Sequence, residues 1–352
     1  MINKTISVVV ACYLDEGSVP ELHERLTAVL RGLTASYEII YVNDASPDNA
    51  EHVLLELAAK DPRLTVISHS RNFGSQNAFT SGMAQSIGDA VVLMDGDLQD
   101  PPELIREFVR EWQDGHDVVY GVRARRRESL FRQAAYKLFY RLWRRLSYVQ
   151  VPVDAGDFSL MDRKVVDQLL RFPERDRFLR GMRAYVGFKQ KGVPYVRQAR
   201  AHGRTTNSFF RNILWAKKAI FSFSYAPLEW VSALAVTVTL LAALAIVGYF
   251  LVYLFGPSPP RGTTTLLMVA LFLGAIQLLG ISLLGEYLSR VFEEVKQRPR
   301  YIVSRLVNDH RQTGIPPLVG PDVGAELTRT LDEAISHTST TEAEAVAESK
   351  EG

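Results

Sequence analysis

Ala90-Val91-Val92-Leu93-Met94-Asp95-Gly96-Asp97-Leu98-Gln99-Asp100-Pro101-Pro102 is the stretch on which the fold turns. Five apolar residues in a row, rich in β-branched side chains, read as a buried central strand. Pro101-Pro102-Glu103 then carries the chain into a helix with proline in its first turn. Two carboxylates one residue apart at such a strand end, Asp95 and Asp97, can hold a hard divalent cation that also grips a diphosphate. Asp-x-Asp alone arises roughly once by chance in a chain this long, so its position carries the reading.

Working outward, Ile6 to Cys12, Tyr37 to Val42, Leu64 to Ser68 and Asp117 to Tyr120 read as further strands. Val19 to Leu33, Ala50 to Lys60, Ser75 to Ser86 and Pro102 to Gln113 have helical periodicity. Strands alternating with helices predict an α/β domain whose mostly parallel sheet is covered by helices. Ligands of such sheets bind beyond the carboxyl ends of the strands. Those positions hold Asp15 and Glu16, then Asn43, Asp44 and Ser46, then Arg71 and Asn72, and last Asp95, Asp97, Gln99 and Asp100. Asp44 and Asp48 also suit capping of the helix that follows them. No Gly-x-Gly-x-x-Gly follows a strand and no Gly-Lys-Ser/Thr occurs, which removes the dinucleotide and P-loop readings.

The remainder is of a different character. From Trp230 to Phe255, and again from Gly262 to Gly285, no residue is charged, and each run exceeds the ~20 residues that cross a bilayer. The intervening Gly256-Pro257-Ser258-Pro259-Pro260-Arg261 suits a hairpin loop, so 229–289 reads as two antiparallel membrane helices, with a buried helical hairpin as the alternative. Lys217 and Lys218 before the first span, and Arg290, Lys296, Arg298 and Arg300 after the second, place both termini in the cytoplasm and the protein in the inner membrane. The single Cys12 excludes a disulfide framework and suits a reducing compartment. Residues 130–148 form a basic amphipathic pattern, suited to a membrane interface or to a solvated helix on the sheet. The aromatic-rich Phe209 to Phe223 lies in a second interfacial segment, 205–228. After 290–321 comes an acidic tail, 322–352, without aromatics, which reads as disordered. A formal net charge of +2 gives no support for nucleic-acid binding. His23, His52, His69, His116 and His202 lack metal-ligand spacing.

In combination and order, Val8 to Glu16, Tyr41 to Ser46, Ser70-Arg71-Asn72-Phe73-Gly74, Met94 to Pro102 and Asp154 to Arg163 resemble the family 2 glycosyltransferases of GT-A fold. Phe221 to Ser224, Leu284 to Tyr287 and Arg298 to Tyr301 extend the similarity to the polyprenyl-phosphate sugar transferases, over about residues 5 to 303. The resemblance implies a GT-A catalytic domain over 1–204 and a metal-dependent, inverting transfer. The donor would be a UDP- or GDP-sugar, the acceptor an undecaprenyl- or dolichyl-type phosphate, and the ion Mg2+ or Mn2+. It implies a pocket for the nucleotide sugar at Ala11, Tyr13, Glu16, Asp44, Asp95 and Gln99, a metal at Asp95, Asp97 and Gln99, and a catalytic Asp157. Arg123, Arg200 and Arg204 would grip the lipid phosphate, and the basic run from Arg123 to Arg127 equally suits a solvated or headgroup patch. The family usually has Pro, Asn and Lys where this chain has Ala11, Leu14 and Thr206. Two spans per chain also leave room for packing partners in a homo-oligomer. A processive polysaccharide synthase would need further spans and a Gln-x-x-Arg-Trp motif; a sugar-nucleotide-binding scaffold would not need Asp157.

Overall fold

The structure is a computed structural model and describes residues 2–123, 155–197, 226–255 and 262–315. The expected interfacial helix 130–148, the stretch 209–223, Arg200, Arg204 and the tail 322–352 lie outside the described residues.

Strands β1 (Ile6–Cys12), β2 (Tyr37–Asn43), β3 (Leu64–His69), β4 (Ala90–Asp95) and β5 (Val118–Arg123) form where the sequence places them. Helices α1 (Val19–Leu33), α2 (Ala50–Lys60), α3 (Ser75–Gln85) and α4 (Ile105–Gln113) fall between them. Pro102–Leu104 is a short 3-10 turn ahead of α4, where the missing N–H of proline in the first turn forfeits no hydrogen bond. Beyond residue 154 come β6 (Ala155–Asp162), α5 (Arg163–Arg171), α6 (Leu179–Tyr185) and β7 (Gln190–Tyr195). The sheet has eight strands in the order β7-β5-β6-β4-β1-β2-β3-β8, where β8 is Val303–Val307. Strands β1 to β4 are mutually parallel, and β6 and β8 are antiparallel to their neighbours.

Burial explains the pattern. Strands β1 and β2 are buried along their whole length because helices cover both faces. Ile6, Val8, Val10 and Cys12 face a core shared with α1, α2 and α4, whereas Val9 and Ala11 face one shared with α3, α5 and α6. Helix α3 rides so close to β1 that a Cβ on Gly82 would lie 2.2 Å from the Val9 side chain.

Two long helices, α7 (Ala226–Phe255) and α8 (Thr263–Lys296), stand where the hairpin was expected. Within α8, the 25 residues Phe272–Lys296 are long and apolar enough to cross a membrane; the apolar run found in α7, Trp230–Ala242, is shorter. Leu240, Leu244, Leu278 and Ile281 stand exposed along the two helices, an apolar surface of the kind that marks a membrane or protein contact. Helix α8 does not stop near residue 289 but continues to Lys296, so Glu286 and Arg290 belong to it. Its last turns are tied to the loop between α5 and α6. Glu294 accepts the Arg175 backbone N–H at 2.7 Å and Arg290 lies 3.7 Å from Asp176.

The segment expected as a separate cytosolic piece, 290–321, returns to the sheet and supplies β8, so the boundary at residue 204 leaves out a strand of the domain. A short helix, α9 (His310–Thr313), follows it. His310 anchors this return. Its Nδ1 faces the fully buried Glu38 carboxylate at 3.1 Å and its Nε2 donates to the Pro62 carbonyl at 2.8 Å. Glu38 also accepts from the Ser7 hydroxyl and the Ile87 N–H. Burial alone would depress the His310 pKa, but the bonds to Glu38 and Pro62 outweigh it and hold the imidazole above its ordinary value.

A folded-state pKa above the unfolded one means stability that is full below the ordinary histidine pKa and fades as pH rises through the raised value. His310→Gln should therefore lower the melting temperature most near pH 6 and least near pH 9. Glu38→Ala, which strands the imidazolium, should cost about 3 kcal/mol in denaturant unfolding.

Candidate active site

The carboxyl ends of β1, β4, β5 and β7 and the amino end of β6 meet at one edge of the sheet. Ala11 of β1 is in register with Asp95 of β4. The Gly96 N–H donates to the Ala11 carbonyl at 2.9 Å, and the Ser18 hydroxyl donates to the Gly96 carbonyl at 2.7 Å. A Cβ on Gly96 would lie 2.9 Å from Cys12 Sγ, 3.1 Å from Asp15 Oδ2 and 3.2 Å from the Ala11 carbonyl, so any larger residue between the two aspartates would push these groups aside. Leu98 then takes a left-handed φ of 56° and the Gln99 N–H donates to Asp97 Oδ1 at 3.2 Å, which turns the chain back over the strand end.

Strand β6 runs antiparallel to β4 with Leu93 opposite Ser159. Continued by two residues, that register sets Asp157 across from Asp95. Four carboxylates, Asp95, Asp97, Asp100 and Asp157, thus share the edge. Burial first, then Asp100, Asp97 and Asp157 in turn, push the Asp95 pKa up to about 7. Arg197, just beyond β7, reaches across three of them, at 3.8 Å from Asp95, 3.9 Å from Asp97 and 3.4 Å from Asp100. Asp100 also accepts from the Tyr195 hydroxyl, and Tyr195 in turn bonds the Arg123 side chain.

Asp157 sits in a different electrostatic setting. Arg180 of α6 donates to both its oxygens, Nε at 3.0 Å and Nη2 at 2.8 Å. The Gln76 side chain bonds it too, while Gln76 Oε1 accepts the Leu179 N–H at the start of α6. Burial would raise the Asp157 pKa, but Arg180, Arg183 and Gln76 together bring it below the usual carboxylate value, so it is a fixed anion near neutrality.

The β1 and β2 loops lace together. The Glu16 N–H donates to Asp48 at 3.1 Å, the Asn49 N–H donates to Glu16 at 2.6 Å, and the Leu14 N–H donates to the Ser46 hydroxyl at 2.7 Å. Asp48 also accepts the Ala50 N–H, the capping contact expected at α2. Asp44 does not cap that helix. Its buried carboxylate accepts the N–H groups of Phe73 and Gly74 at 2.9 and 2.7 Å and meets His69 Nδ1 at 2.7 Å. Asp44 therefore holds the Arg71–Gly74 loop from beneath. Tyr13 is left exposed at the mouth, and Leu14, Ala45 and Leu98 all have left-handed φ values, 62°, 50° and 56°.

Of the residues singled out from sequence, Ala11, Tyr13, Asp95, Asp97, Gln99, Arg123 and Asp157 come to this edge. Glu16 and Asp44 stand at the adjoining loops with their carboxylates engaged by backbone, and Arg200 and Arg204 lie outside the described residues. Asp100 was placed at this strand end from sequence but given no role, and sequence reasoning missed Arg180, Arg183, Tyr195 and Arg197. The three-residue spacing of Arg180 and Arg183 was a usable signal for two guanidinium groups on one side of a helix.

Among the described residues no three His, Cys, Asp or Glu side chains form a ready-made metal cage. The donor set still suits a hard divalent cation, because Asp95 carries more negative charge around it than Arg197 neutralises. Such an ion would be held by Asp95 and Asp97 and completed by ligand oxygens.

Two outcomes follow from these geometries. In chelator, Asp95 binds more protons folded than unfolded between its ordinary pKa and about 7, so stability falls as pH rises through that window. Its side chain keeps 35% of its surface, so the slope is shallow. Asp95→Asn should flatten the melting temperature between pH 5 and pH 8. Leu14→Asn, which suits the left-handed backbone better, should stabilise by about 1 kcal/mol in denaturant unfolding.

Comparison with known proteins gives the same direction. Residues 7–170 match the family described as Glycosyl transferase family 2. The chain is 40% identical over 304 residues to the uncharacterized glycosyltransferase sll0501 of Synechocystis sp., covering 86% of this chain and 95% of that one. It is 39% identical over 300 residues to the uncharacterized glycosyltransferase YkcC of Bacillus subtilis, covering 85% and 93%. With the SfII prophage-derived bactoprenol glucosyl transferase of Shigella flexneri it is 35% identical over 303 residues, covering 85% and 97%. The match over residues 7–170, with glycosyltransferase relatives 35% to 40% identical along 85% or more of the chain, establishes that this protein belongs to glycosyl transferase family 2.

Proposed function

We propose that the chain transfers a sugar from a nucleotide diphosphate sugar to a polyprenyl phosphate at the cytoplasmic face of a membrane, with inversion at the anomeric carbon. The observation that carries this reading is the facing of Asp157 and the Asp95–Asp97 pair across the β6–β4 register. The bactoprenol glucosyl transferase relative supports a lipid acceptor, and α8 supports a membrane location.

In this reading a phosphate oxygen of the lipid attacks the anomeric carbon and forms the new C–O bond. The bond from that carbon to the donor's diphosphate breaks, and its electrons leave with the nucleoside diphosphate. Bound Mg2+ or Mn2+ supplies neutralising charge for the leaving diphosphate. Asp95 and Asp97, with Gln99 beside them, would hold it. Tyr13 and Ala11 line the way in for the nucleotide, and Asp44 acts through the loop it supports. A phosphate acceptor has a second pKa around 6 and arrives largely ionised. Asp157, itself fixed as an anion by Arg180, is accordingly placed to stabilise positive charge developing at the sugar ring rather than to remove a proton. Arg123 faces the same edge and would meet the acceptor phosphate together with Arg200 and Arg204.

The test is transfer of label from UDP-glucose, GDP-mannose and related donors into an organic-extractable, phosphate-linked lipid, with purified protein in vesicles containing undecaprenyl phosphate. One donor should label the lipid, and chelator should stop it. Asp97→Asn and Asp157→Asn should each lower turnover by about 10²- to 10³-fold with the melting temperature retained. Near-normal transfer by Asp97→Asn would sink the metal assignment. Label entering a growing polymer would favour a processive synthase, and donor binding without any transfer a non-catalytic scaffold.

A further inference from the structure

A recess of about 560 Å³ opens between α3, α5 and the segment that leaves α8, lined by Thr80, Ala84, Leu170, Arg300, Tyr301 and Arg311. It is separate from the carboxylate edge, and its charge has the opposite sign. Arg300 and Arg311 line it, and Arg177 is packed near Arg300 with only 1% of its surface exposed.

The guanidinium groups are not neutralised by acids. Arg177 donates to the Leu169 and Phe172 carbonyls at 2.5 and 3.4 Å, Arg300 to the Phe172 carbonyl, and Arg311 to the Ala84 carbonyl at 2.8 Å. These acceptors are carbonyls in or just past the last turns of α5 and α3, which carry only partial negative charge. Among the described residues no carboxylate forms an ion pair with any of the three arginines. Asp309, the acid next to Arg311, already accepts from the Arg311 N–H and from Gln85. Among the described residues, Glu174 and the Tyr301 hydroxyl act on Arg177 through their charge without a direct ion pair. Arg177 Nε is buried with no hydrogen-bond partner. Burial, then repulsion from Arg300, bring the Arg177 pKa down to about 10, which is what crowded like charges in a partly dry site produce.

From this we infer that the recess binds an anion of phosphate class, with Arg300 and Arg311 as the gripping pair and Tyr301 as a further donor. Two guanidinium groups and a tyrosine lining one recess supply the donor types that bind phosphate oxygens. Two sources offer this chemistry, the headgroup of an anionic phospholipid and free phosphate. The recess is near the former, because Arg300 follows the last residue of α8, Lys296, by four positions.

The experiment uses the full chain in neutral detergent, with its melting temperature read against inorganic phosphate, short-chain phosphatidylglycerol and short-chain phosphatidylcholine. The variants are Arg300→Gln/Arg311→Gln and, because those side chains also bond carbonyls, Ala84→Asp. The second variant puts a carboxylate into the recess while keeping every arginine. The expected result is a rise of several degrees with an anionic ligand and none with phosphatidylcholine, lost in both variants, with the ligand-free Ala84→Asp protein melting no lower than wild type. A response to phosphatidylglycerol at roughly tenfold lower concentration than to phosphate assigns the lipid headgroup; equal or greater sensitivity to phosphate assigns the free anion. No rise with either ligand, or a rise that survives Ala84→Asp, overturns the proposal.

Discussion

Like charges crowded at one edge of the sheet set the terms for the rest of the molecule. Parallel β1 and β4 bring Ala11 beside Asp95, and antiparallel β6 brings Asp157 across from it. Asp97 and Asp100 follow within one turn of chain. Isolated, such a group would lose its charge by taking up protons, which is the direction Asp95 takes. The structure offsets the repulsion with arginines from three elements, Arg197 after β7, Arg180 on α6 and Arg123 at the end of β5. Arg197, at 3.8 and 3.9 Å from Asp95 and Asp97, supplies part of the positive charge that a divalent cation held by those two carboxylates would add to.

A second constraint is the return of the chain from α8 to the sheet. Tyr301 stacks on His69 with ring centroids 5.4 Å apart and planes 13° apart. His69 bonds Asp44 through one nitrogen and Ser81 through the other, and Asp44 holds the Phe73 and Gly74 N–H groups. The path from the end of a membrane-length helix to a loop at the mouth of the site is thus a chain of direct contacts. Strand β8 and the Glu38–His310 pair fix that path to the edge of the sheet beside β3.

The central strands and their helices were legible because their signals are local. Val8 to Cys12 or Val91 to Met94 can only be buried strands, and the helix between two such strands shows its apolar stripe within a few turns. The flanking strands were not. β7 contains Lys191, Gly192 and Pro194, and becomes a strand only because β5 pairs with it. β8 is largely exposed and is separated from its partner β3 by more than two hundred residues. Missing β7 hid Arg197, since a residue after an unseen strand gives no sign that it lies at a strand end. Asp44 shows the opposite limit. Its place after β2 was correct, but the three partners that occupy its carboxylate come from β3 and the loop after it, which no spacing reveals. The family residue at position 14 does find its reason in the backbone, since asparagine tolerates the left-handed φ that Leu14 adopts here.

The setting of Asp157 bears directly on the kind of acceptor the edge can serve. A sugar hydroxyl must lose a proton as it attacks, and a carboxylate that removes it works best with a pKa raised toward neutrality. Asp157 is displaced the other way, by two bonds from Arg180, a nearby Arg183 and the Gln76 amide. The carboxylate that is raised, Asp95, has its charge pressed by three other acids and faces the paired Asp97. The edge thus separates two tasks. In the proposed reaction the group at Asp95 and Asp97, crowded by like charge, would suit a cation, and Asp157, held by Arg180 with a lowered pKa, would stay anionic near neutrality. A nucleophile that comes already ionised needs no base, and it gains from an edge whose anion is fixed and screened by arginines. Positive charge at Arg123, Arg180 and Arg183 lets a second anion approach that an uncompensated Asp157 would repel.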